Sequence, residues 1–234
     1  MALLKSFTPG KVIEVGCGAG AVLYDISRLG YHCTALETSE KARETAEYIN
    51  RDSANFTSCA QADPGWKNTF DFVFSFEVLE HIEDDEQALS LWASWLKDKG
   101  YLFLSVPAHV KRWGPDDEAV GHFRRYERRC LEAKLLTAGL EVIHHECWGY
   151  PLNSLMRPLR IRKYRKVLAN HQNEGLSREN RSAMSGVERS AEAKLLRILQ
   201  NPAGRLVMHS FFLLQRAFSR TDLGSGLLLI ARKA

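Results

Sequence analysis

The segment Glu14-Val15-Gly16-Cys17-Gly18-Ala19-Gly20 follows directly on a short apolar run at 11–15. Glycines there let backbone approach a nucleotide-like ligand closely, at the carboxyl end of a strand and the start of a helix. The spacing Gly16-x-Gly18-x-x-Ala21 also fits the dinucleotide fingerprint, so the loop alone leaves the ligand open. Two acids narrow the choice. Glu37 closes the next apolar run, where its carboxylate can accept both hydroxyl hydrogens of a ribose. Asp63 follows the third run and is placed to accept from an adenine amino group, although Asp63-Pro64-Gly65 also makes a good turn. Farther on stand Glu77, Glu80 and His81 as Glu-x-x-Glu-His, and His122 in Gly121-His122-Phe123-Arg124-Arg125-Tyr126. Histidine titrates near neutrality, which makes His81 and His122 the candidate proton acceptors, with His109 behind them.

The elements that must hold these residues follow from periodicity. Strands are expected at 11–15, 31–36, 56–60, 70–76, 101–106 and 140–147, and helices at 21–29, from Ser39 to 49, at 84–96 and at 128–138. Read as six cycles of strand then helix, this is the signature of a parallel sheet covered on both faces. The regularity then stops. Residues 151–222 are helical in composition, rich in Arg and Leu, with breaks expected at Pro158, Gly175, Gly186 and Pro202 and a polar, mobile stretch at 172–186. One last strand is expected at 226–231. The domain division that follows is 1–150 with 223–234 as the ligand-binding domain and 151–222 as a helical insertion. Leu206, Val207, Phe211, Leu214 and Phe218 form an apolar stripe, read first as a core-packing helix and second as a surface for lipid or another subunit. Because only about ten residues precede the first strand, 107–127 and 151–222 are the candidates for excluding water and shaping a second pocket. The helices can equally serve an oligomer interface.

The glycine loop, Glu37, Asp63 and the segment Phe76-Glu77-Val78-Leu79-Glu80-His81-Ile82, in register and in order, resemble the class I S-adenosylmethionine-dependent methyltransferases, in the branch with an EVLEHI-type segment after strand four. The resemblance covers roughly 11–148 plus the terminal strand. It implies a Rossmann-like α/β fold, with a seven-stranded, mostly parallel sheet, helices on both faces and an antiparallel last strand. It implies S-adenosylmethionine as cofactor, held by Glu14, Gly16, Gly18, Gly20, Glu37, Asp63, Phe76 and Glu77, with adenine flanked near Gln61-Ala62-Asp63. The sulfonium methyl is already activated, so positioning does much of the work. A base is needed only when the acceptor must lose a proton.

Glu77, Glu80 and His81 with the later His122 are also similar to the arrangement in ubiquinone-pathway O-methyltransferases and small-RNA 2′-O-methyltransferases. That likeness implies a divalent ion such as Mg²⁺ on Glu77, Glu80, His81 and His122, polarising an acceptor hydroxyl. Oxygen and imidazole donors also suit Mn²⁺, Fe²⁺ or Zn²⁺. Many methyltransferases carry this segment without a metal, and both readings stay open. Ser105-Val106-Pro107-Ala108, Trp113, Asp116 and the Gly-His-x-Arg-Arg-Tyr segment look like a bacterial subgroup, some members of which accompany glycan or secondary-metabolite pathways. Arg124 and Arg125 either grip an anionic acceptor or bond Asp116, Asp117 or loop carbonyls, and Trp113 and Tyr126 either line the acceptor pocket or pack.

Composition sets the remaining bounds. Hydrophobic residues at 45% and charged residues at 26% allow a substantial core in a globular chain. No run of about 18 apolar residues occurs that would span a bilayer, and the start is too weakly patterned for a secretory signal. Five cysteines with no Cys-x-x-Cys pair argue against a disulfide framework or zinc ribbon and for a reducing, cytoplasmic setting. The six basic residues Arg157, Arg160, Arg162, Lys163, Arg165 and Lys166 stand together without an acid, as a solvated face or a surface for phosphate, RNA or anionic lipid. The leading expectation is O- or N-methylation of a small molecule, anionic or lipid- or glycan-linked. An RNA-modifying enzyme ranks below it for want of an RNA module. A non-catalytic cofactor-binding domain and a nicotinamide dehydrogenase complete the set.

Overall fold

The computed structural model describes residue 4 and residues 7–185 and 201–234. The break expected at Gly186 lies outside the described residues. Two compact units emerge. One comprises Met1–Val106, Arg129–His144 and Leu229–Ala234, and the other Pro107–Arg128 and His145–Leu228.

The first unit is built on β1 (Lys11–Val15), β2 (His32–Leu36), β3 (Phe56–Cys59), β4 (Phe70–Phe76), β5 (Leu96–Pro107), β6 (Leu140–Trp148) and β7 (Gly226–Lys233), whose ends in β5, β6 and β7 run into the second. The sheet order is β3-β2-β1-β4-β5-β7-β6. β1–β2, β2–β3, β1–β4 and β4–β5 pair in parallel, and β7 runs antiparallel to β5 and β6. β1 and β4 are neighbours although two strands separate them in the chain, so the direction of winding reverses between them. A ligand crevice opens at the carboxyl ends of strands at such a reversal.

Alternation along the strands builds both faces. Val12, Phe72, Phe74 and Phe103 join Leu23, Ile26 and Tyr31 in one cluster. Phe72 stacks on Tyr101 at 5.9 Å, and Phe74 meets Phe103 edge-on at 4.9 Å. Ile13, Val73, Leu102 and Leu104, on the alternate positions, are fully buried, as is Leu89. Leu89 belongs to α3 (Asp85–Trp95), which starts at Asp84, whose carboxylate accepts from Gln87 N–H at 2.9 Å. α1 (Ala21–Ser27) starts at Gly20, and α2 (Glu40–Asn50) starts at Ser39, whose hydroxyl accepts from the Ala42 N–H. The expected strand-then-helix repeat fails once: between β3 and β4 there is only a 3-10 turn, Pro64–Trp66. β5 is also longer than its periodicity indicated. It begins at Leu96 and carries a register shift opposite Phe70/Phe72, with Lys99 at φ +62°.

The second unit contains α4 (Pro115–Val120), the first residue of α5 (Arg128–Thr137), α6 (Leu152–Asn173), α7 (Arg178–Ser185) and α8 (Pro202–Phe218). Pro158 does not break α6; the helix runs through it. Proline there forgoes one intrahelical hydrogen bond, and the helix continues on either side. Gly175, at φ +64°, does end it, with the Leu176 N–H reaching back to the His171 carbonyl at 3.0 Å in a Schellman closure. Part of the stretch expected to be mobile is helix α7, opened by Ser177, whose hydroxyl accepts from the Asn180 N–H. Pro202 opens α8 behind Asn201, whose side chain accepts from the Gly204 N–H at 2.7 Å. The stripe on α8 is only partly packed: Phe211 and Phe218 are half-buried, Phe218 against the Tyr150 ring at 4.8 Å, and the other three members are exposed. Leu206 is 67% exposed, Val207 49% and Leu214 43%. Among the described residues no helix is long and apolar enough to cross a membrane.

Candidate functional site

The glycine bend closes the end of β1. Gly16, Gly18 and Gly20 all have positive φ, and the Gly16 N–H donates to the Leu36 carbonyl at 2.7 Å. Gly16 must be glycine for a second reason: a Cβ there would lie 2.5 Å from Val78 Cγ2. Val78, in the Glu-Val-Leu-Glu-His segment, therefore presses on the bend. A Cβ on Gly18 meets nothing within 4 Å, so the bend offers open space at its middle.

Glu37 is fixed by the same bend. Its Oε2 accepts from the Gly18 N–H at 3.0 Å and its Oε1 from the Ser39 N–H at 2.9 Å. Arg43 Nη1 donates to the Glu37 and Thr38 carbonyls, holding the end of β2. Each carboxylate oxygen retains a second lone pair, so the group is oriented and still able to accept. Glu14, one turn of chain before the bend, is 4% exposed, and its Oε2 has no hydrogen-bond partner. Burial, and then the negative charge of Glu37, push its pKa up to about 8. A buried carboxyl of this kind is eased by a partner that brings positive charge. Burial together with Glu14 and Glu37 pushes the Cys17 thiol up to about 12, so Cys17 is no nucleophile.

The other expected residues divide between the units. Asp63 is exposed and caps the 3-10 turn, accepting from the Gly65 N–H at 2.7 Å. Phe76, at the end of β4, lies 5.6 Å from the Phe74 ring and is half-buried. Glu77 sits at φ +57°; its carboxylate accepts from the Ser105 hydroxyl and its N–H donates to the Ser105 carbonyl at 2.9 Å. Glu80 is fully buried and His81 half-buried in the 3-10 turn Leu79–His81, and they offer ligand atoms within 4.8 Å of one another. Glu77 is outside that group.

His122 belongs to the second unit. Its Nδ1 lies 2.9 Å from Asp117 Oδ1. Burial works to raise the Asp117 pKa, but the hydrogen bonds and charges of His122 and Arg125 outweigh it and hold the group below its ordinary value. Asp117 is therefore a carboxylate, placed to accept from His122 Nδ1. The other Asp117 oxygen accepts from Arg125 Nε at 2.8 Å and from the Gly114 N–H at 2.9 Å. Arg125 also donates to the Ala108 carbonyl at 3.1 Å and faces Asp116, which pairs with Arg160 at 2.9 Å. Of the two readings of Arg125, the structure shows the framework one. The basic run on α6 divides likewise: Arg157 and Arg160 turn inward, Arg157 to the Arg112 carbonyl, while Arg162, Lys163, Arg165 and Lys166 are exposed. Tyr126 is buried and packs.

Sequence reasoning passed over Asp117 as the partner of His122, since the four residues of helix end between them carry no motif. It also missed Val78, where only the apolar residue within Glu77-Val78-Leu79 was a signal.

A winding reversal capped by a glycine bend and a doubly held acid places the chain in the Rossmann-like α/β class. Residues 1–145 match the family model described as a methyltransferase domain, and the chain belongs to that family. It is 29% identical over 118 residues to a ubiquinone biosynthesis O-methyltransferase of Bartonella quintana, covering 47% of each chain. With the enzyme of the same name from Rhizobium leguminosarum bv. trifolii it shares 30% over 156 residues, 56% of this chain and 59% of that one. The chain thus aligns with about half the length of these curated relatives. Among solved structures, an S-adenosylmethionine-dependent methyltransferase from Mesorhizobium loti superposes with a TM-score of 0.59 at 16% identity, covering 99% of this chain and 96% of that one. The 4+2 cyclase SpnF superposes equally well, with a TM-score of 0.59 at 19% identity over 98% and 77%. Likeness at this identity speaks for the fold alone, and the fold hosts more than one chemistry.

Proposed function

We propose that the protein is an S-adenosylmethionine-dependent methyltransferase acting on the hydroxyl or amine of a small molecule. The observation that carries this is the clasp of Glu37 by the Gly18 and Ser39 N–H groups at the ends of β1 and β2, in a chain of the methyltransferase-domain family. Glu37 takes the ribose hydroxyls. Backbone at Gly16, Gly18 and Gly20 lies along the donor, and Asp63 receives the adenine amino group through the oxygen its turn does not use. Phe76 and Glu77 contact the methionine end, and Glu14 answers the positive charge. When bound, the donor supplies an activated methyl group; the chain supplies orientation.

His122 takes the acceptor proton as the methyl group is transferred, its ring held by Asp117. The helices of 151–222 contribute acceptor binding. A divalent ion is a finer proposal. Glu80 and His81 have the donor types that suit one, and the ion would polarise the acceptor oxygen. Its test is calorimetric titration of Mn²⁺ into the protein and into a Glu80→Gln variant.

Methyl transfer is tested with donor carrying a labelled methyl group and a panel of phenols, catechols and amines. Label appearing in an acceptor, and much less with His122→Ala, is the expected result. Donor binding without transfer to any member of the panel contradicts the enzyme reading and places the chain with cyclase-like or sensor uses of the fold.

A further inference from the structure

In the second unit a cavity of about 300 Å³ is lined by Trp113, Glu118, His122, Leu168, Arg178 and Arg181. We propose that this cavity binds the acceptor through an oxyanion that it carries, a carboxylate or a phosphate monoester, received by the guanidinium groups of Arg178 and Arg181. The inference rests on the reading of His122 as the proton acceptor and adds the substrate class.

Several arginines of this unit are engaged by groups of the same unit. Arg125 and Arg160 are paired with Asp117 and Asp116. Arg112 is anchored on the Gly224 and Leu223 carbonyls, and Arg157 on the Arg112 carbonyl. Arg178 and Arg181 have no carboxylate among the described residues, and the partly buried Arg181 Nε has no hydrogen-bond partner. Desolvating an Arg N–H with nothing to receive it is unfavourable, so a partner that arrives with the ligand is the economical solution.

Their place on the helix adds to this. Arg178 is the first residue of α7 and Arg181 lies in its first turn. The N-terminal end of a helix is its positive end, where cations are disfavoured and anions stabilised. The position is also held rigidly. A Cβ on Gly121 would lie 2.6 Å from the Arg178 carbonyl, so α4 and α7 meet backbone to backbone. The Arg178 guanidinium lies 4.4 Å from the Phe123 ring centroid. A cation–π contact of this kind holds the guanidinium without consuming its N–H donors, which suit a bidentate oxyanion.

Glu118 also lines the cavity and opposes an anion. Its Oε1 accepts from the Trp113 indole N–H at 3.2 Å, which orients the ring. One carboxylate against two guanidinium groups leaves the wall positive. Trp113 and Leu168 supply apolar surface for the body of the ligand, and the volume is at the small end of ligand pockets. His122 shares the cavity, so the anion would tether the acceptor beside the imidazole.

The test is calorimetric titration of the whole protein with benzoate, phenyl phosphate and, as a neutral control, phenol, in parallel with S-adenosylhomocysteine. Expected is binding of one or both anions at least about tenfold tighter than phenol, weakened about tenfold or more in Arg178→Met/Arg181→Met. Glu118→Gln, which removes the opposing charge, should bind the anion more tightly. The two anions tell carboxylate from phosphate. Equal affinity for phenol, or anion binding unchanged in the double variant, overturns the proposal. S-adenosylhomocysteine binding that persists in that case confines the failure to this cavity. Loss of S-adenosylhomocysteine binding in the unaltered protein instead overturns the methyltransferase reading.

Discussion

Two buried carboxyl groups, one in each unit, meet opposite fates. Glu14 in the first unit has a buried oxygen with no partner and a pKa pushed up to about 8, burial being the main cause. Asp117 in the second unit is as deeply buried, at 1% exposure, yet stays ionised because His122, Arg125 and the Gly114 N–H supply what burial removes. The difference shows two uses of a buried acid. Asp117 is internally satisfied and serves as an anchor that holds the ring of its histidine. Glu14 is unsatisfied within the chain and is suited to a cationic visitor.

Breaking the anchor should have the largest effect. Asp117→Asn leaves the buried Arg125 guanidinium with Asp116, 3.7 Å away, in place of the close Asp117 pair, and removing one partner of a buried pair costs up to about 3–5 kcal/mol. Urea unfolding should show that loss; a variant within about 0.5 kcal/mol of the parent would contradict the anchor role. The Glu14 comparison is sharpened by pH. Its folded pKa of about 8 stands above the ordinary value of 4.5. The folded state therefore binds the proton more tightly, and stability falls as pH rises from about 4.5 to about 8. The total loss is on the order of a few kcal/mol. In Glu14→Gln this dependence should flatten, and parallel stability–pH curves for the two proteins would contradict the assignment. Next comes Glu37→Ala, which removes an oriented acceptor from the cofactor clasp. It should weaken S-adenosylhomocysteine by about 1.5–3 kcal/mol, since hydrogen bonds to a charged group carry that magnitude. The smallest change is expected outside both sites. Leu206 on α8 is 67% exposed, so Leu206→Ser should alter stability by no more than about 0.5 kcal/mol. A large loss there would mean that the stripe is covered.

The two units also differed in how far the sequence disclosed them. In the first, apolar strands of period two, glycines at φ above zero and an acid at each strand end all respond to local backbone demands, which are visible residue by residue. The boundaries of β1 and β4 and the Ser39 cap were legible for that reason. In the second unit the decisive contacts join residues without periodicity. Asp116 meets Arg160 across the whole of the intervening loop and strand, and Arg112 meets the Gly224 carbonyl more than a hundred residues away. Composition showed an excess of arginine but not which arginines had partners. Pro158 misled because a proline in a helix interior costs one hydrogen bond, which a helix spanning Leu152–Asn173 can absorb. The α8 stripe misled because amphipathic spacing records an apolar face, not what lies against it.

The central claim is that adenosine lies across the ends of β1 and β2, held at the ribose by Glu37. Calorimetric titration of the protein with S-adenosylhomocysteine and, separately, with NAD tests it most directly. The account predicts measurable affinity for S-adenosylhomocysteine, reduced more than tenfold in Glu37→Ala, and weaker or no binding of NAD. Tighter binding of NAD, or affinity for S-adenosylhomocysteine that Glu37→Ala leaves intact, would contradict it.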